Sequence, residues 1–79
     1  MSEDEDLEIE ILQHIDAMDK EELYKNNQNL EIQGYEDKTV TYKAFEMKKD
    51  GLIEAFTKDH NTGVDGVIVK GLTQKGKQF

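Results

Sequence analysis

The apolar residues change their spacing at Gly51, and that switch constrains the fold more than any other feature of the chain. In the two longest runs ahead of Gly51 they recur every three or four residues; behind it they run together or alternate. A period near 3.6 buries one stripe of a helix, whereas a period of two buries one face of a strand. Leu7, Ile11, Ile15 and Met18 form the first stripe and predict a helix from about Asp6 to Met18, with Leu12 widening the stripe and Ile9 off it. The acids at its start suit the positive end of the helix dipole. Val40, Ala44 and Met47 form a second stripe, for a helix from about Glu36 to Asp50. Gly51 stops it, because a residue without Cβ enters left-handed backbone freely.

The remaining pieces fall between and after these helices. Asp19 and Glu22 have the spacing of a capping box, which predicts a short helical turn through Lys25. Asn26-Asn27-Gln28-Asn29 suits a loop, and the alternation of Leu30 and Ile32 predicts a short strand over Asn29–Gln33 that Gly34 ends. Leu52, Ile53, Ala55 and Phe56 read as one strand, and Val67, Ile68, Val69 and Leu72 as its return. His60-Asn61-Thr62-Gly63 and Gly66 supply the loop between them, making a β-hairpin. The last residues, from Thr73 to Phe79, read as one helical turn behind a Thr cap. Helix, short helix, strand, helix and two-stranded hairpin form an α+β chain in the order of a winged helix-turn-helix, with the hairpin as the wing. The expected organisation is a disordered acidic segment over residues 1–5 and one winged-helix domain over residues 6–79.

Seventy-nine residues bury a modest core, and the absence of cysteine removes both disulfide staples and thiolate metal sites. Close packing, or a second copy, must supply the stability; the expectation is a monomer or a weak homodimer. The acidic start has neither the apolar core of a signal peptide nor the basic character of a transit peptide, and no apolar run approaches membrane-spanning length. A cytoplasmic protein without a membrane partner is expected.

Residues Leu30-Glu31-Ile32-Gln33-Gly34-Tyr35, the helix carrying Val40, Tyr42 and Met47, then Asp50-Gly51-Leu52-Ile53 and Leu72-Thr73-Gln74-Lys75-Gly76 carry a family resemblance. This stretch resembles the small winged-helix proteins of phages and prophages in Gram-positive bacteria, including the YjcQ type and a related domain family of unknown function. The Gly-Leu-Ile and Leu-Thr-x-x-Gly pieces are similar also to the wing ending of MarR-like and PadR-like regulators. The resemblance covers Leu30 to Phe79 and, more loosely, the first helix. It implies a winged-helix fold and no particular activity. Those relatives commonly continue into a longer carboxy-terminal helix that builds a dimer interface, so a dimer of the regulator type is not expected here.

Charge divides unevenly along the chain. Met1–Asp37 holds 13 acids and 2 bases, net −11, and Lys38–Phe79 holds 5 acids and 8 bases, net +3. Lys38, Tyr42, Phe45 and Lys49 form a stripe opposite the core face of the second long helix, flanked by Lys43 and Lys48. With Thr41 on the same helix and Lys70 near the wing, they are the candidate contacts to duplex DNA. Every one of the 10 basic residues is lysine, so the bidentate arginine–guanine contact is excluded; Glu46 and Asp50 also dilute the helix's field. DNA binding would then be weak, salt-dependent and directed at phosphates. The alternative is a host protein, held by the aromatic face or by the acids Glu3, Asp4, Glu5, Asp6, Glu8, Glu10 and Asp16. A third reading is a self-associating accessory domain. His14 and His60 lack metal-ligand spacing, and Asp59, Asn61 and Asp65 lack the closing Glu of a calcium loop and read as turn chemistry. With Ser2 the sole serine and no phosphate-cradling glycine loop, no cofactor, metal or catalytic centre is expected.

Overall fold

The computed structural model describes residues 3–60 and 63–78. Within them the chain forms α1 (Glu3–Asp16), α2 (Lys20–Lys25), α3 (Asp37–Lys49), β1 (Ile53–His60), β2 (Gly63–Leu72) and α4 (Gln74–Gln78). It is an α+β arrangement of helices around an antiparallel hairpin. Leu7, Ile11 and Ile15 of α1 meet Val40, Ala44 and Met47 of α3, and both stripes close over Ile53, Val67 and Val69 on the inner face of the hairpin. Each of these side chains except the small Ala44 contributes roughly 1.5–3 kcal/mol when fully withdrawn from water.

Local chemistry sets the element ends. The helix α1 starts at Glu3, so residues 3–5 of the segment expected to be disordered continue it, and it stops at Asp16 with Met18 beyond its end. Asp19 caps α2 by accepting from the Glu22 amide at 2.7 Å. At the end of α3, Leu52 N–H reaches the Met47 carbonyl at 2.9 Å and Gly51 N–H the Lys48 carbonyl at 3.1 Å. These two bonds form a Schellman motif around Gly51, whose φ of 79° is the left-handed value foreseen for it.

Two sequence expectations need correction. Residues 29–33 are not a strand. Leu30 and Ile32 do alternate inward around exposed Glu31, but one backbone bond, Leu30 N–H to the Val67 carbonyl at 3.0 Å, joins the segment to β2. The chain just before it is tied to β2 through side chains, Asn26 Nδ2 donating to the Val69 carbonyl at 3.0 Å and Lys70 Nζ to the Asn26 carbonyl. Alternation buried the two apolar residues without requiring a ladder. The hairpin loop is also tighter than expected: His60 pairs with Gly63, so both strands run through residues assigned to the loop. Asn61 and Thr62 lie outside the described residues.

The hairpin is asymmetric. Its register steps between Glu54 and Ala55 and again between Lys58 and Asp59. Both extra residues, Lys70 and Asp65, belong to β2, which leaves β1 regular throughout. Gly66 sits where a Cβ would run into the end of the Asn29 side chain, in the 26–30 segment that lies along the outer edge of β2.

Candidate functional site

The outward side of α3 carries most of the candidate residues, but they do not form one even stripe. Tyr42 stands clear of the surface at 68% exposure. Phe45, one turn on, is half-buried and packs against the core, with Lys49 Nζ 5.5 Å from its ring centroid. The expected pair of outward aromatics is therefore one outward ring and one ring lying down under a lysine. Lys38 is exposed, while Thr41, Lys43 and Lys48 are half-buried along their stems.

Lys38, Thr41, Tyr42 and Phe45 converge on a groove bounded by α3, the 29–31 segment and the end of the hairpin. Lys43, Lys48 and Lys49 lie outside its lining. Three carboxylates edge the groove: Glu31, Asp37 and Asp65. Asp65 is one of the two bulge residues of β2. This acidic rim was not foreseen, because its members are scattered through the sequence and only the fold brings them together. Glu31 and Asp37 also border a second depression with Glu10 and His14 of α1. Negative potential thus extends from α1 to the mouth of the groove.

Lys70 is placed elsewhere. It lines a different groove with Tyr24, Phe56 and Leu72. Its ammonium donates to the Tyr24 carbonyl at 3.2 Å and also to the Asn26 carbonyl, at the end of α2. Those carbonyls are unmatched within a helix, and a cation there also suits the negative end of the dipole. Being the bulged residue gives Lys70 this reach. Lys75 is occupied in a similar way, donating to the Asp50 carbonyl at 3.0 Å. Neither Lys70 nor Lys75 is thus left unengaged to add positive charge to the α3 face.

Sequence reasoning passed over Tyr24 and Phe56, which are 82% and 65% exposed. For Phe56 a signal existed: it shares outward parity with Glu54 and Lys58 in β1. Among the described residues no group of three His, Cys, Asp or Glu could hold a metal ion, and no helix is long and apolar enough to cross a membrane. Asn61 of the Asp59–Asn61–Asp65 set lies outside the described residues.

No curated protein and no solved structure matches the chain. A family model does: the one described as "Hypothetical protein (DUF2513)" matches residues 3–79, which run from the first residue of α1 through α4. The chain belongs to the DUF2513 family.

Proposed function

We propose that this protein is a non-catalytic winged-helix module, of phage or prophage origin, that binds a protein partner through the Tyr42 groove. The observation that carries the reading is an exposed aromatic ring set in a groove whose rim is mainly carboxylate. An aromatic side chain offers large contact area at low entropic cost and is enriched where proteins meet. Glu31, Asp37 and Asp65 repel a phosphate backbone at close range and favour a partner that presents a basic group beside an apolar anchor. The order helix, short helix, helix, hairpin, and the resemblance to winged-helix phage proteins, support the fold and origin parts of the proposal.

A second reading has its own support. The helix α3 holds Lys38, Lys43, Lys48 and Lys49 against Asp37 and Glu46, a net of +2 in a chain of −8. Lysines gathered on the helix that enters DNA in winged-helix regulators suit phosphate contact. Binding of that kind falls steeply with salt and is abolished by Lys43→Glu combined with Lys49→Glu.

One experiment separates the two. A photo-crosslinking amino acid replaces Tyr42 in the producing cells, and a control carries it in place of Tyr24. Adducts specific to position 42 that protease destroys and nuclease spares support the protein partner. Nuclease-sensitive adducts transfer the function to nucleic acid. Equal labelling from both positions removes the α3 face as a binding site.

A further inference from the structure

We infer that β1 is a self-association edge, and that two copies pair antiparallel across it, centred on Phe56, to give a continuous four-stranded sheet. This surface lies on a different strand and face from the Tyr42 groove and does not depend on it.

The backbone sets the first condition. Among the described residues β1 has a strand neighbour on one side only, namely β2. In an antiparallel pair, residues alternate between turning their N–H and C=O toward the partner strand and turning them away. The Val67 and Val69 carbonyls accept from Leu30 N–H and Asn26 Nδ2, so they point away from β1. Ala55, paired with Val69, must therefore turn its own N–H and C=O to the outer edge, while Phe56 turns its groups to Ile68. Both bulges fall on β2, so the edge of β1 stays regular. Natural edge strands are usually broken by bulges or blunted by charge; β1 carries neither extra residue, and its exposed charges, Glu54 and Lys58, are of opposite sign.

The side chains set the second. Glu54, Phe56 and Lys58 are all exposed and share one face of β1. A twofold axis at Phe56 sets that ring against Phe56 of the second copy in a non-hydrogen-bonded pair, where side chains approach most closely. The same axis sets Glu54 across from Lys58 of the second copy, and Lys58 across from its Glu54. Shifting the axis by one residue either way leaves both charges without an opposite partner and sets Phe56 against Glu54 or Lys58. Only the Phe56-centred register satisfies all three side chains together. The outer edge of β2 is already covered by the 26–30 segment, so the pairing closes at two copies instead of growing into a fibre.

The test is sedimentation of the full chain from micromolar to millimolar concentration, for the protein itself and for charge-swapped variants. Glu54→Lys alone, or Lys58→Glu alone, places like charges across the axis twice, and each should weaken the dimer on the order of tenfold. The double swap restores opposite charges and should recover the original affinity. Phe56→Ser supplies an independent variant and should also abolish pairing, with far-UV circular dichroism confirming each fold. A protein that stays monomeric at millimolar concentration overturns the inference. So does a dimer indifferent to the single swaps, or one that the double swap fails to restore.

Discussion

At the scale of single residues, the carboxy-terminal Leu-Thr-x-x-Gly motif shows how much of a sequence signal is local. Thr73 does cap α4: its hydroxyl accepts from the Gly76 amide at 3.0 Å and donates to the Gly51 carbonyl. That cap was legible, because it needs only residues a turn apart. The reason for Gly76 was not. A Cβ there would overlap the Leu52 carbonyl, 24 positions away in the chain, so α4 packs against the α3–β1 junction only while residue 76 lacks a side chain. Since the obstacle is backbone and cannot swing aside, Gly76→Ala should destabilise the fold by about 2 kcal/mol or more, read from urea unfolding. Lys70 teaches the complementary lesson. Composition marks it as an available cation, and only the bulge shows that its ammonium is committed to the end of α2. Lys70→Met should lower stability by roughly 1 kcal/mol. It should leave the crosslinking yield at position 42 unchanged, whereas a binding role for Lys70 requires that yield to fall.

At the scale of elements, helices were read well and the segment before Gly34 was misread. The stripes of α1 and α3 are dictated by the helix's own geometry, and their members are the buried core. Residues 29–33 show the same kind of pattern with a different cause. Leu30 and Ile32 face inward because extended backbone alternates, yet a strand also needs a partner offering successive bonds. Here β2 supplies one backbone acceptor to Leu30, and the Asn26 side chain takes the neighbouring acceptor that a ladder would have used. Sequence alternation reports burial and is silent on that competition. Amide hydrogen exchange can see the difference. Leu30 should exchange slowly while Ile32, the next amide of the same parity, exchanges fast, whereas protection at every second amide from 28 to 32 would mean a true third strand. The candidate face follows the same division: Tyr42 was legible from helical period, but the acidic rim depends on which loops the fold brings beside it.

At the scale of the whole molecule, a small core works against a large unbalanced charge. A chain of 79 residues without disulfides has an unfolding free energy of roughly 4–12 kcal/mol. Its net charge is −8, and the amino-terminal half alone carries −11. The fold does not disperse those acids. Glu10 of α1, Glu31 of the connecting segment and Asp37 at the start of α3 border one depression, so folding brings like charges nearer than they lie in the extended chain. Such repulsion acts over about 10 Å at 0.1 M salt and weakens as salt rises. The protein should therefore become more stable, by about 1 kcal/mol, as NaCl rises from roughly 0.02 to 0.3 M. The urea midpoint should be measured at micromolar concentration, where self-association is negligible. Chloride could act by other routes, and Glu10→Lys isolates the local term. It sets a cation beside Glu31 and Asp37, and at exposed sites such a pair contributes a few tenths of a kcal/mol. The variant should gain that much at low salt, and the gain should vanish at high salt. A gain independent of salt would place the effect in helix propensity, and no gain at either salt would show that water already screens the three carboxylates from one another.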